Sequence, residues 1–279
     1  MTDHAPTKDE GRGRVALVLG AVKGIGKGLG LDLARRGFRL ALTHFDWEEA
    51  LPRMRADFEG FGDRCRILRA DLRDCESVRG LIADVVASFG RLDILINNIE
   101  RGGWPIVHGP YTPEQWDLEQ ETTLRAKRWV FASALPHLKA TGGGCVVNLS
   151  SIAGLVGRSG PASQVFNDGY AAANRAVSLL TESWAREGAP QVRVNEIMLG
   201  LVATRHAEGT RGWGLLSPQQ RKALVDHTLL ARTGTIEDVV KAVRFLVDEA
   251  PFMTGSVLRL DGGYVLGGEG VAPMPPGIL

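Results

Sequence analysis

Seven residues, Gly20-Ala21-Val22-Lys23-Gly24-Ile25-Gly26, separate an apolar run, Val15-Ala16-Leu17-Val18-Leu19, from an amphipathic stretch that continues to Arg36. That order is a strand, a turn and a helix. Gly20 permits a tight turn. Gly24 and Gly26 lack a Cβ, so a ligand can come up against the backbone. The N-terminus of the following helix adds free N–H groups and the positive end of a dipole. This combination suits a diphosphate. Glycines alone are weak evidence, and the strand before and helix after give this turn its weight.

The elements that would hold such a turn can be followed along the chain. The first helix ends at Gly37, a C-cap signal. Strand segments are expected at 39–43, 65–68, 92–96, 145–149, 192–198 and 256–260, each a short apolar run. Helices are expected between them, near 47–58, 78–89 and 170–187, and again after Thr235. Thr112-Pro113-Glu114-Gln115 opens a further long helix, with Thr112 as cap, Pro113 at the first position and Gln115 completing a capping box. Strand–helix alternation over the whole length predicts the α/β class, one doubly wound parallel sheet of about seven strands with helices on both faces. No linker divides it. Residues 14–266 are read as one domain, 1–13 as a flexible tail and 267–279, rich in Gly and Pro, as an extended arm.

Composition narrows the function classes. The 279 residues carry 33 Lys and Arg against 32 Asp and Glu, a net charge of +1. No basic excess drives binding to nucleic acid or an anionic membrane. Cys65, Cys75 and Cys145 are far apart and odd in number, which points to neither a metal site nor a disulfide framework. No apolar run approaches the roughly 18 residues of a membrane span, and the polar N-terminus lacks a signal-peptide core. The expectation is a cytoplasmic protein acting on a small molecule.

From the glycine turn onward the chain resembles the short-chain dehydrogenase/reductase family. Gly20, Gly24 and Gly26 have that family's spacing. Asp71-Leu72 is similar to its adenine-contacting pair, and Asn97-Asn98-Ile99-Glu100 to an altered Asn-Asn-Ala-Gly. Ser150-Ser151 follows a strand, Tyr170 opens a helix, and Arg193-Val194-Asn195 precedes Leu199-Gly200. Thr254-Gly255 and Asp261-Gly262-Gly263 match the family's ending. The likeness covers about residues 14–263, and the order of the motifs makes it specific. It implies a Rossmann-type fold and a nicotinamide cofactor. Contacts are implied from the turn (Gly20, Lys23, Gly24, Ile25, Gly26) and the second and third strand ends (His44, Asp71, Leu72). They are also implied from the fourth strand end (Asn97, Asn98, Ile99) and from Gly200, Val202 and Thr204.

An acidic residue at the end of the second strand would bind the adenosine ribose diol and favour NAD. His44 stands there, with Asp46 two residues later. Lys23 occupies a place where the family often carries a base for the 2′-phosphate, and His44 could assist, so NADP(H) is favoured over NAD(H). The competing view makes Lys23 a solvated turn charge and His44 a surface histidine.

The resemblance assigns Tyr170 as general acid/base and Ser151 to orient the substrate oxygen. The lysine expected one turn after the tyrosine, which would hold the ribose and lower the phenol's ionisation, is Asn174. The asparagine expected to hold a relay water on the preceding helix is Thr123. A free tyrosine ionises near about pH 10, and bringing it to neutrality takes about 4 kcal/mol, which a nearby cation normally supplies. Asn174 has no charge and Arg175 points away from that face. Either slow turnover or a borrowed cation is therefore expected, with Arg101 and Arg158 as candidates for the latter.

Other departures surround the same place. Ser151 and Tyr170 lie 19 positions apart, more than is usual in the family, and the added loop is expected over the substrate mouth. Glu100, Arg101 and Trp104 follow a strand end and serve either the substrate or a surface ion pair. Residues 204–232 are the expected lid, in which Arg211 and Trp213 either meet the substrate or belong to a mobile loop. Three functions remain open. The first is an NAD(P)-dependent oxidoreductase of a carbonyl or secondary alcohol, similar to 3-oxoacyl reductases. The second is a nucleotide-binding pseudo-enzyme or regulator. The third is a non-redox enzyme resembling halohydrin dehalogenases, which lose the nucleotide turn that this chain keeps. The resemblance also implies a homo-oligomer, a dimer or tetramer, built through the two long helices and the last strand.

Overall fold

The computed structural model describes residues 11–99, 111–204, 213, 216–268, 271 and 273. At its centre is a sheet of seven strands in the order β3-β2-β1-β4-β5-β6-β7, every neighbouring pair parallel. The strands are β1 (Val15–Val18), β2 (Arg39–His44), β3 (Cys65–Arg69), β4 (Ile94–Asn97), β5 (Gly144–Ser151), β6 (Val192–Leu199) and β7 (Val257–Leu260). Every residue of β1, β4 and β5 is buried, which is why these segments read as continuous rather than alternating apolar runs.

Nine α-helices connect and flank the strands among the described residues: α1 (Gly24–Arg35), α2 (Leu51–Glu59), α3 (Cys75–Phe89), α4 (Pro113–Glu119), α5 (Ala126–Ala140), α6 (Ala153–Val156), α7 (Asp168–Gly188), α8 (Pro218–Asp226) and α9 (Ile236–Arg244). Their starts follow from local chemistry. Asp74 accepts hydrogen bonds from the N–H groups of Glu76 and Ser77. Thr112 and Gln115 form the expected capping box. Ser217 with Gln220 and Thr235 with Asp238 form two more. The long helix expected from 112 onward is interrupted, because Gln120–Arg125 takes a π-helical turn between α4 and α5.

Two apolar layers sandwich the sheet. One packs α1, α2 and α9 against one face, and the other packs α3, α5 and α7 against the opposite face. In the second layer Phe131 of α5 and Trp184 of α7 stack with ring centroids 4.5 Å apart. Trp184→Ala should cost about 3–5 kcal/mol, the usual loss for truncating a buried aromatic, measured as the change in unfolding free energy in urea.

A third apolar cluster lies beyond the carboxyl ends of β5 and β6 and contains Phe166, Tyr170, Trp213 and Tyr264. It includes much of what the sequence suggested was a lid. Residues 218–226 are α8, whose Leu224 is completely buried. Trp213 packs in this cluster. Residues 205–212, with Arg211, lie outside the described residues, as do Glu100, Arg101 and Trp104. The strand order reverses between β1 and β4, where open α/β sheets place their ligands.

Candidate active site

At that reversal a cleft of about 490 Å³ runs across the carboxyl ends of β1, β2, β3 and β4. Its floor is the glycine turn. Gly20 has φ +62°, and its N–H donates to Thr43 Oγ1 at 3.1 Å. A Cβ on Gly26 would lie 2.3 Å from the Gly20 carbonyl oxygen and 2.6 Å from Asn98 Nδ2. These two glycines therefore let the turn close against the end of β4. Gly24 differs: with φ +58°, its missing Cβ would meet nothing nearer than Thr204, at 4.0 Å. Its open side is the cleft. Helix α1 starts at Lys23 with no side-chain cap and no acid in its first turn, although α3, α4 and α7 are all capped. First-turn amides and an open glycine make a cradle that fits a dinucleotide diphosphate.

The cleft's outer end is lined by residues after β2 and β3. His44 is buried, and burial lowers its imidazole below the ordinary value. Asp71 lines the cleft beside Leu72, but its carboxylate is held by the Arg73 guanidinium at 2.9 and 2.7 Å. That bond holds the Asp71 carboxyl below the usual carboxylate range. Arg73 also lies 5.2 Å over the Phe45 ring. Lys23 packs its amine over the ring of Trp47.

The inner end opens on a smaller cavity of about 40 Å³ that shares Ile25, Asn98 and Ile99 with the cleft. Ser151 and Tyr170 both line it, with Phe166, Gly200 and Val202. Ser151 ends β5, and Tyr170 sits in the first turn of α7, where Asn167 accepts its backbone N–H at 3.1 Å. The long segment between them folds as α6 and a 3₁₀ turn, Gly160–Gln164. This segment delivers Phe166 to the cavity wall, its ring centroid 5.9 Å from that of Tyr170. Asn98 holds the carbonyls of Leu19 and Gly20 at 3.3 Å each, pinning the turn to β4.

Four expected residues stand elsewhere. Asn97 is behind the wall, donating to Asn148 Oδ1 at 3.2 Å. Asn174 is fully buried and in the wall of neither cavity. Its Nδ2 donates to the Tyr170 carbonyl at 3.0 Å, and its Oδ1 is buried without a hydrogen bond. Thr123 is fully buried and gives its hydroxyl to the Glu119 carboxylate. Arg158 is half exposed and sits 3.8 Å from Asp168, so its charge is directed to a surface pair.

Two side chains that the sequence reading passed over lie immediately behind this site. Lys127 on α5 is completely buried, and its amine donates to the Ile99 carbonyl. Glu196 on β6 is completely buried and accepts from the hydroxyls of Ser150 and Ser178. Its second carboxylate oxygen has no hydrogen bond. A signal existed for both. Lys127 falls in the apolar register of its helix, and Glu196 is the lone acid in a buried strand. Burial pushes the Glu196 carboxyl above its usual range, with smaller opposing effects from the two serines and Lys127. Glu196 thus binds its proton more tightly when folded than when unfolded. Its contribution is fully present below the unfolded carboxyl range, about pH 4, and is lost as pH rises through the folded value. Glu196→Gln should therefore remove that slope and stabilise the protein at pH 8 by on the order of 1 kcal/mol, with little gain at pH 4, read from urea midpoints at both pH values.

The enoyl-(acyl carrier protein) reductase family model matches residues 20–265. The chain belongs to the short-chain dehydrogenase/reductase family. A 3-oxoacyl-[acyl-carrier-protein] reductase of Staphylococcus aureus is 30% identical over 255 residues, covering 90% of this chain and 98% of that one. A cyclopentanol dehydrogenase of a Comamonas species is 34% identical over 253 residues, covering 90% and 96%. Among solved structures, levodione reductase superposes with a TM-score of 0.79 at 27% identity, covering 91% and 98%. This short-chain dehydrogenase/reductase is thus a nicotinamide-dinucleotide oxidoreductase of carbonyl or alcohol groups, and its fold is that of the family. No described helix is long and apolar enough to cross a membrane.

Proposed function

We propose that the protein is an NADP(H)-dependent carbonyl reductase of the 3-oxoacyl type, working reversibly through Ser151 and Tyr170. The observation that carries this is the shared wall. Ser151 and Tyr170 line one small cavity that meets the dinucleotide cleft at Ile25, Asn98 and Ile99. The nicotinamide, when bound, supplies or accepts the hydride. Ser151 holds the carbonyl oxygen, and the Tyr170 phenol gives its proton to that oxygen as the carbon is reduced. Solvent then returns the proton to the phenol, so each carbonyl consumes one hydride and one proton. The remaining walls, Leu149, Phe166, Leu201 and Val202 among them, suit an apolar flank on the substrate.

Two features support NADP(H). Lys23 and Arg73 both line the cleft. His44 stands at the end of β2, where an acid would favour the unphosphorylated ribose. Fluorescence titration with NADPH and NADH tests this, followed by absorbance assays on short 3-oxoacyl thioesters and cyclic ketones. NADPH should bind at least about tenfold tighter than NADH, a difference worth about 1.4 kcal/mol, and should be consumed with the thioester. Tighter binding of NADH would overturn the cofactor assignment. Binding of either dinucleotide with no turnover of any carbonyl would leave a nucleotide-binding protein in place of an enzyme.

A second copy of the chain is the expected partner, meeting it through α5 and α7. Leu179 on α7 is 66% exposed, an apolar side chain on the outer face of that helix. Leu179→Glu should shift the protein toward monomer in sedimentation velocity, while the unsubstituted chain runs as a dimer or tetramer.

A further inference from the structure

The family's cation after the tyrosine is missing, because position 174 is an asparagine whose amide turns back onto its own helix. A completely buried lysine stands on a different helix. Lys127 is in the first turn of α5, directly after the π-helical turn, and its neighbour Ala126 lines the dinucleotide cleft. Helical side chains lean toward the N-terminus of their helix, so the lysine reaches back toward the carboxyl ends of the strands. Its amine meets the carbonyl of Ile99, and Ile99 lines both the cleft and the cavity that holds Tyr170. Gln120, two turns earlier, donates to the Gly169 carbonyl at 3.2 Å and ties this helix to the start of α7 beside the tyrosine. Burying an ammonium is costly, and an apolar side chain of similar length generally serves a core as well or better.

We propose that Lys127 supplies, from α5, the positive charge beside Tyr170 that position 174 lacks. It is a positioning residue, acting on the phenol through the low-dielectric wall that carries Ile99. The other charged groups on elements packed around this wall are Glu119 on α4 and Glu196 on β6, with Arg175 and the Arg158–Asp168 pair at the surface. The two buried carboxyls oppose ionisation of a phenol, which leaves Lys127 as the buried group favouring it among the described residues. The inference rests on the reading of Tyr170 as proton donor, but its test does not need turnover.

The chain has three tyrosines, Tyr111, Tyr170 and Tyr264. Ultraviolet difference titration of the unsubstituted protein minus Tyr170→Phe isolates the phenol of interest. In Lys127→Met its midpoint should rise by about one pH unit or more, while Lys127→Arg should leave it within a few tenths. If the protein turns over a carbonyl, the pH limb of kcat should move with the phenol, and the KM for the dinucleotide should change less than about threefold. Lys127→Met combined with Asn174→Lys should restore both midpoints, since the charge returns from the other helix. An unchanged phenol midpoint in folded Lys127→Met overturns the proposal, and so does Lys127→Arg behaving like Lys127→Met. Lys127→Gln gives the same two readings should the methionine variant not fold. A phenol that moves in a protein without turnover retains this inference and removes the reductase reading. Turnover with an immobile phenol does the reverse.

Discussion

Tyr170→Phe should lower carbonyl turnover by a factor of about 10² to 10⁴, the range that a positioned proton donor contributes, with dinucleotide affinity kept within about twofold. The substitution removes one hydroxyl from a ring that is otherwise part of the wall. The ring packs among Phe166, Trp213 and Tyr264, so phenylalanine keeps the packing. The backbone N–H bond to Asn167 is also untouched. The dinucleotide cleft is built from other residues, and Tyr170 is not in its wall. The loss should fall on kcat, because the proton moves only as the carbon is reduced. Stopped-flow single turnover with NADPH and a 3-oxoacyl thioester checks it. A rate unchanged by the substitution would remove Tyr170 from the chemistry and with it the proposed reaction.

Gly26→Val is the second substitution with a large effect, and it acts on binding. Even a Cβ at this position would lie 2.3 Å from the Gly20 carbonyl oxygen, which is backbone, and 2.6 Å from Asn98 Nδ2. Asn98 cannot simply swing away, because its amide holds the carbonyls of Leu19 and Gly20. The turn must open, and the first-turn amides of α1 lose their aim at the diphosphate. Dinucleotide affinity should fall by about 100-fold or more, equivalent to about 3 kcal/mol, as read by fluorescence titration. The melting temperature should also fall. Gly24→Ala is the informative companion. Its Cβ has space in the protein but stands where the ligand would lie, and its φ of +58° strains any side chain by about 1 kcal/mol. It should therefore lose affinity with a smaller loss of stability.

Much of the frame was readable because it rests on local rules. Apolar runs such as Val15–Val18 can be satisfied only by burial on both faces, and that demands a parallel sheet. The capping box at Thr112 needs no tertiary contact to be recognised. The same rule applies at Ser217, where Ser217 and Gln220 cap α8 inside the segment expected as a lid. The π-helical turn at Gln120–Arg125 carries no periodic signal, since it differs from an α-helix only in which carbonyl each amide meets. At the site, the spacing of Gly20, Gly24 and Gly26 marked the turn that floors the cleft. The roles of Asn174 and Thr123 did not translate. Sequence placed them by analogy beside the reacting groups, whereas the fold spends one on the Tyr170 carbonyl and the other on Glu119.

Order along the chain was enough to establish strand–turn–helix, the seven strands, and the kinship that follows from motif succession. Those properties depend on near neighbours and on periodicity. Which charged groups come together behind the site was settled only by packing. Lys127, Glu196 and Tyr170 are tens of residues apart, and no local rule relates a lysine on one helix to a phenol on another. Burial then gives those groups their weight, because a charge withdrawn from water acts over distances at which solvent would have screened it.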